Sequence, residues 1–452
     1  MPDDNIVRLA ALQESGDISP TSEDAIALAF ADRHGDELRY VAQWGRWLAY
    51  NGARWVPDET LHVFDRARAI CREIAADADK GANSISSAKT VAAVEKLARA
   101  DRRLAATSAQ WDTSAELLNA ADTTLDLRNG FPRAPDPLDY LTKQAACACA
   151  PAGTPHPLWT KFLDRITNHD AELQSFLQRY VGYCCTGITA EHVFAFAYGT
   201  GANGKSTFIN TIRGIFGDYA TVADMATFIA SNIEHHPTDL AKLMGARLVV
   251  AQETKRGRRW DETKIKALTG GDKITARFMR QDFFDYVPTF KLFICGNHKP
   301  RLVNVDEAMR RRLLLVPFTV QIPRAERDKG LARKLEAEWP AILRWCINGC
   351  LEWQRTGLVP PASVRDATEA YFADQDTLQQ WLDDCTEDKG AFAFSRTAEL
   401  FVSWKKWCED RNLKPGTMQA LSEALADRGF RKKRNNVGQQ GFTNLTAKPD
   451  AS

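Results

Sequence analysis

The chain of 452 residues carries almost no net charge, +1 with histidine neutral, so nothing global marks it as a partner of nucleic acid and any basic surface must be local. It has no apolar run near the roughly 18 residues that cross a bilayer, and no membrane partner is expected. The first twenty residues, MPDDNIVRLAALQESGDISP, lack the apolar core of a secretory leader and read as a short disordered tail. Ten cysteines include no CxxC pair followed by a second, and eight histidines include no HExxH, which argues against zinc chemistry. Cys147 and Cys149, the adjacent Cys184 and Cys185, and Cys346 with Cys350 sit among apolar or small residues, as buried reduced thiols of a cytoplasmic protein would. No internal repeat is visible. What remains is an ordinary globular composition, 44% hydrophobic and 26% charged, long enough for two to four domains.

Helix-like spacing from 21 leads into an aromatic cluster, Trp44, Trp47, Tyr50 and Trp55, around Asn51-Gly52, a strong hairpin signal. Residues 61–120 are alanine-rich with a helical pattern, and short strands punctuated by Asn129-Gly130 and prolines follow. APAGTPHP (150–157) is the clearest linker. A helical segment runs from Leu158 to about Tyr183 with Trp159, Phe162, Leu163 and Ile166 on one stripe. Strands and helices alternate from 192 to about 320, and helices resume over 325–385.

Within the alternating region, Gly199-Thr200-Gly201-Ala202-Asn203-Gly204-Lys205-Ser206-Thr207 fits the pattern G-x-x-x-x-G-K-[ST] without a gap. The glycines let the backbone turn sharply and aim successive N–H groups at phosphate oxygens. A helix starting near Gly204 adds its positive end, Lys205 reaches the β- and γ-phosphates, and the Ser206 hydroxyl ligates Mg²⁺. The apolar VFAFAY before the loop reads as a buried strand. Phe208, Ile209, Ile212, Ile215 and Phe216 give the helix after it one apolar face, and Gly217 is placed to stop it.

An ATP-hydrolysing site also needs a carboxylate at a neighbouring strand end. GARLVVAQET supplies Glu253, 48 residues past Lys205, to hold the Mg²⁺ through water, to polarise the attacking water, or both. Gln252 stands where a second acid is expected. A third strand, TFKLFICGN, ends at Asn297, a residue able to orient that water. Arg310, Arg311 and Arg312 precede the fourth strand, as an arginine finger for a neighbouring subunit or as a surface charge cluster. Between Glu253 and Asn297, Lys264, Lys266, Lys273, Arg277 and Arg280 interleave with Phe278, Phe283, Phe284 and Tyr286. That spacing suits a hairpin tracking a nucleic-acid strand, with the basic residues as DNA contacts and most of the aromatics as core.

Together, GTGANGKST, GARLVVAQET, IKALTGGDKITARF, FKLFICGNHKP and DEAMRRRLLLVPF resemble a superfamily 3 helicase of the phage/plasmid and poxvirus-type primase-helicase family. RYVAQWGRWLAYNGARWVPD and LLNAADTTLDLRNGFPR are similar to the domain that precedes the helicase in that family, and the segment from Leu400 to Leu445 is similar to its C-terminal winged helix. The resemblance implies an α/β fold, a P-loop NTPase (AAA+-like) core over 191–325. It places a helical collar at 155–190, an α+β N-terminal domain at 21–150, a helical segment at 326–385 and a winged-helix domain at 386–448. It further implies a homo-hexameric ring on single- and double-stranded DNA, 3′-to-5′ unwinding driven by ATP with Mg²⁺, Glu253 as the metal-side acid and Asn297 as the sensor. Arg311 or Arg312 becomes the finger, and Lys273, Arg277 and Arg280 line the channel. Family members often carry a primase-polymerase domain. Here the residues before 150 offer only DADK and LDLRNG, neither on an apolar strand, so no primer synthesis by this chain is expected, which leaves room for a separate primase as a partner.

Residues 391–452 hold eleven Lys/Arg against six Asp/Glu. Arg431, Lys432, Lys433 and Arg434 fall at an expected hairpin, as a phosphate-contacting wing or as a solvated charge run. Phe401, Trp404 and Trp407, at helical spacing, read as core. An origin-melting initiator and a small-molecule P-loop kinase are the alternatives to a helicase. The arginine triplet with a basic hairpin speaks against the kinase.

Overall fold

The computed structural model describes residues 19–230, 238–253, 257–280, 282–302, 306–387, 393–435 and 437–448, so nearly all of the expected tail 1–20 lies outside the described residues. The chain divides into two compact units, one of residues 1–300 with 311–365, the other of 301–310 with 366–452.

In the first unit, Ser22 caps a helix, Glu23–His34, by accepting a hydrogen bond from the Ala25 amide. Strands β1 (Leu38–Val41), β2 (Arg46–Tyr50) and β3 (Trp55–Pro57) follow as an antiparallel meander. The Asn51 side chain closes the expected hairpin by accepting from the amides of Ala53 and Arg54. The alanine-rich region forms helices His62–Ala76 and Ala88–Ala98, but the pattern stops there, and β4 (Ala105–Ala106) adds to β1 in parallel. Ile26, Phe30, Ile70, Val91 and Val94 make this subdomain's core.

Strands β5 (Leu117–Asn119), β6 (Thr124–Asp126) and β7 (Phe131–Arg133) form a second meander. Its Leu118, Leu125 and Leu127 have no core of their own. They join Trp159, Phe162, Tyr180, Phe208 and Phe293 in one continuous cluster. The stretch 150–157 therefore runs across a shared core: the Ala146 amide donates to Ile215 and the Ala150 amide to Pro340. Three prolines and a glycine describe its local conformation and say nothing about what packs on either side.

Helices Pro157–Ile166 and Ala171–Cys185 lead into the central sheet. Its strands are β8 (Phe194–Tyr198), β9 (Ala220–Val222), β10 (Leu248–Glu253), β13 (Lys291–Gly296) and β14 (Leu313–Pro317), with a hairpin of β11 (Ile274–Ala276) and β12 (Phe284–Tyr286) between β10 and β13. The order is β14-β8-β13-β10-β9 and every pairing is parallel. Such a sheet is covered on both faces, which is why β8 and β13 read as unbroken apolar runs. On one face Phe208 packs on Trp159 and Phe293, and on the other Trp260 meets Phe194 and Phe196 edge-on. Behind them, helices Ala171–Cys185 and Trp339–Thr356 cross so closely that a Cβ on Gly182 would lie 2.1 Å from the Cys350 nitrogen.

In the second unit, helices Thr377–Cys385, Thr397–Asp410 and Met418–Asp427 pack around Trp381, Leu400, Trp404, Trp407, Leu425 and Phe442. Trp404 and Trp407 are buried, as expected, and stack at 5.6 Å. Two short strands, β15 (Thr386–Glu387) and β19 (Thr446–Ala447), pair with each other. Strands β16 (Phe394–Arg396), β17 (Lys432–Arg434) and β18 (Gln440–Thr443) make an antiparallel sheet in the order β16-β18-β17. Of the ten cysteines, seven are buried and Cys147, Cys149 and Cys385 are half-buried, and none is in a disulfide. Among the described residues no helix is long and apolar enough to cross a membrane.

Candidate functional site

The glycine-rich loop leaves the C-terminal end of β8 and returns as the helix Lys205–Phe216, which Gly217 ends with a φ of 54°. Gly199 and Gly204 have no substitute. Their φ angles are 151° and 83°, and a Cβ would lie 2.0 Å from the Phe318 carbonyl oxygen in one case and 2.3 Å from Ile166 Cγ2 in the other. Ala202, at φ 53°, holds a left-handed conformation that an L-residue adopts at some cost, and its carbonyl is fixed by the Ile322 amide at 2.9 Å. Asn203 is buried, with Nδ2 donating to the Phe318 carbonyl at 2.9 Å. The chain beyond β14 therefore braces the loop through Phe318 and Ile322, a contribution no motif announces.

Lys205 is 6% exposed, and its ammonium donates to the Gly199 carbonyl (2.7 Å) and to Asn203 Oδ1 (3.1 Å). Burial lowers its pKa from the ordinary lysine value, and the nearby Cys295 thiol acts in the opposite sense. Ser206 is exposed and Thr207 half-buried at the start of a helix whose first turn contains no acid.

The register then places the other residues. Pro317, Tyr198, Gly296 and Glu253 are successive partners across β14, β8, β13 and β10, so they form one row along the sheet's C-terminal edge. Asn297, exposed, follows Gly296 on the strand next to the loop's strand, and Glu253, described here through its backbone, ends the strand beyond. At about 4.8 Å per strand, Glu253 stands roughly 10 Å from Tyr198. Lys299 lies over the Tyr198 ring at 4.1 Å, a neighbour of the loop that went unmarked although the motif containing it was noted.

Arg311 and Arg312 are at the other edge. Leu313 pairs with Phe194 at the start of β8, and the Phe194 amide donates to the Arg312 carbonyl. One strand length, about 16 Å at 3.3 Å per residue, separates them from the loop of their own chain. Arg311 is exposed and Arg312 half-buried. Arg310 belongs to the second unit, where it pairs with Glu369 and lies 5.1 Å from the Phe372 ring centroid.

Lys273, Arg277 and Arg280 sit on the β11–β12 hairpin, Lys273 and Arg280 exposed and Arg277 lying over the Phe283 ring at 4.8 Å. Lys264 is drawn instead to Asp261 at 3.4 Å. The hairpin aromatics are not core, contrary to expectation. Phe283 is 59% exposed, and the half-buried Phe278 and Phe284 stack on each other at 5.6 Å. The hairpin buries Ile274 and Ala276 on one side, and a two-stranded ribbon is too thin to enclose these rings as well. Arg431 to Arg434 are all exposed, with Lys432–Arg434 forming β17 at the edge of its sheet.

Two buried cations escaped the sequence reading. Lys291, at the start of β13, donates to the carbonyls of Thr186, Ile188 (3.1 Å) and Thr289 (3.3 Å), and burial pushes its pKa down to about 7. Arg247 donates to the carbonyls of Cys185, Ser114 and Leu117. Both knit the first unit together at the sheet edge away from the loop.

Residues 27–168 match the family model described as D5 N terminal like, across the stretch 150–157, and residues 197–312 match a family of unknown function, DUF5906, whose span contains the glycine-rich loop, Glu253, Asn297, Arg311 and Arg312. The chain is 26% identical over 242 residues to "Putative helicase L207/L206" of Acanthamoeba polyphaga mimivirus, covering 49% of this chain and 25% of that protein. It is 26% identical over 239 residues to "Putative helicase 022R" of Frog virus 3 (isolate Goorha), covering 48% and 24%. The chain thus spans about a quarter of the length of the curated relatives it matches. Its fold is similar to the apo structure of the NrS-1 C terminal region, with a TM-score of 0.53 at 8% identity over 93% of this chain and 98% of that one. A second structure of that region gives 0.54 at 9% identity. These likenesses are consistent with a D5-like primase-helicase family.

Proposed function

We propose that the chain is an ATP-dependent DNA helicase of superfamily 3, a homo-hexameric ring that unwinds 3′ to 5′ in the replication of a phage, satellite or plasmid-like element in the host cytoplasm, beside a separate primase. The observation that carries this is the row Pro317–Tyr198–Gly296–Glu253, which gathers the loop, Asn297 and Glu253 at one sheet edge while Arg311 and Arg312 stand at the opposite one. That separation of an arginine from its own loop supports a finger that acts on a neighbour's.

The loop residues fit a nucleoside triphosphate. Lys205 is a buried cation held by two neutral oxygens, beside the N-terminus of a helix of 12 residues without a first-turn acid. ATP with Mg²⁺ supplies the scissile phosphoanhydride and a divalent charge. The amides from Gly201 to Ser206 and the Lys205 ammonium hold the phosphates, and the Ser206 hydroxyl and Glu253 hold the metal. Glu253 also draws the proton of the attacking water, Asn297 orients that water, and Arg311 or Arg312 of the next copy neutralises charge in the transition state. Lys273, Arg277 and Arg280 grip DNA in the channel, and Arg431 to Arg434 contact duplex phosphates from a winged-helix domain.

The deciding experiment is strand displacement on a forked duplex with ATP, run beside native mass spectrometry. Displacement from a 3′ tail by a hexamer supports the reading. ATP turnover without displacement, coupled to duplex melting at a specific sequence, would make the protein an initiator instead.

A further inference from the structure

Away from the loop, the first unit contains a groove of about 560 Å³ between the β2–β3 hairpin and β9, the end strand of the central sheet farthest from β14. Three strand spacings, about 14 Å, separate β9 from β8, so the groove is distinct from the nucleotide loop. Its lining is cationic: Arg46, Arg54, Lys143 and Lys242 face it against one acid, Asp218. Asp218 is already paired with Arg54. Among the described residues, Arg46, Lys143 and Lys242 have no carboxylate within ion-pair distance. Trp44 completes the rim, 37% exposed and backed by Trp111 at 5.9 Å, so an indole face is held open beside the cations.

We infer that this groove binds single-stranded DNA, with Arg46, Lys143 and Lys242 on the phosphodiester backbone and Trp44 stacked on an unpaired base. The inference rests on the reading of the chain as a DNA-handling ATPase and adds a second contact outside the hairpin. Three considerations select the occupant. Uncommitted cations need a polyanion, and the groove's volume takes a nucleotide-sized group and not a duplex. A solvent-facing indole beside cations is the platform on which single strands stack without sequence preference. Finally, one wall of the groove is tied to the hairpin. The Lys242 side of its wall is the segment after helix Thr238–Ala241, and the Tyr286 hydroxyl of β12 donates to the Leu240 carbonyl at 2.7 Å.

The test uses the full chain, a fluorescent oligothymidylate and no nucleotide. The variant Arg46→Glu/Lys242→Glu is expected to bind at least tenfold more weakly, with the slope of log affinity against log salt reduced by about 1.4, two contacts at about 0.7 each. Trp44→Ala is expected to weaken binding about tenfold while leaving the salt slope unchanged, because stacking releases no counterions. Duplex binding and DNA-free ATP hydrolysis should match wild type in both, which also shows that the variants fold. Wild-type affinity and slope in both variants would overturn the inference while the helicase reading stands. Displacement of the oligonucleotide by polyglutamate only in proteins with an intact groove, with Trp44→Ala binding normally, would also overturn it, in favour of an acidic peptide. If the wild-type chain bound no single strand at all, the functional reading itself would fall.

Discussion

Lys205 Nζ and the Gly199 carbonyl oxygen lie 2.7 Å apart, so the ammonium folds back over the loop that presents it. With Asn203 Oδ1 as its second acceptor, this buried cation is solvated by dipoles alone, and burial holds its pKa below the usual lysine range. Lys205→Ala removes the cation without opening the core and is expected to lower ATP turnover by about a hundredfold or more. Circular dichroism should stay that of the wild type. A folded variant with normal turnover would sink the site.

The loop's glycines differ in what they tolerate. Gly201, at φ 76°, has open space where a Cβ would go, whereas Gly204 would drive one into Ile166. Gly201→Ala should therefore cost about 1 kcal/mol from conformation alone. Gly204→Ala should cost more, about 2–4 kcal/mol, since overpacking adds to the backbone term. Urea melts of the two variants compare the costs directly, and equal midpoints would contradict this account of the loop.

The distance between Arg311 and its own loop gives a test of subunit sharing. Arg311→Ala/Arg312→Ala should hydrolyse ATP weakly when pure, and Lys205→Ala likewise. Mixing the two restores some composite sites in which an intact loop meets an intact arginine. Activity above the average of the two pure proteins is the expected result, and strict additivity would argue against a finger that acts across a subunit boundary.

How legible these features were depended on how local their causes are. Gly199 to Ser206, the helix ended by Gly217 and the strands that lead to Glu253 and to Asn297 follow from short patterns, and all lie within a residue of where those patterns put the backbone. The common core beneath 150–157 was hidden, because it joins Leu118 and Leu125 to Phe208 and Phe293, far apart in the chain. Lys291 and Arg247 looked like ordinary charges before strands. Only the fold shows the backbone carbonyls that converge on them.

Arg431 to Arg434 line an exposed edge strand, so their contribution to DNA binding should be almost wholly electrostatic. Replacing all four by alanine is expected to weaken duplex binding and to reduce the salt slope by up to about 3.6, at about 0.9 per phosphate contact. Sequence preference should change little. Fluorescence anisotropy over a salt series measures both quantities, and an unaltered slope would mean that β17 is a solvated charge run.

Lys291 gives a prediction about stability that is independent of DNA. Its folded-state pKa is about 7 against 10.5 for the ordinary side chain, so above pH 7 the folded form has shed a proton that the unfolded chain keeps. Stability should then rise with pH at up to about 1.4 kcal/mol per unit. The buried thiols act in the opposite sense. Cys184, Cys295 and Cys350 have folded-state values pushed up to about 12 from 9.0, so above pH 9 the unfolded chain loses protons that the folded form retains. Three or more such groups outweigh one lysine, and stability should pass through a maximum near pH 9. Lys291→Met leaves the carbonyls of Thr186, Ile188 and Thr289 without their donor and lowers stability overall. Its distinguishing signature is the loss of the rise between pH 7 and 9 with the fall above 9 kept. Urea melts at half-unit pH intervals resolve the two limbs, and a variant that keeps the rising limb would show that another group carries it.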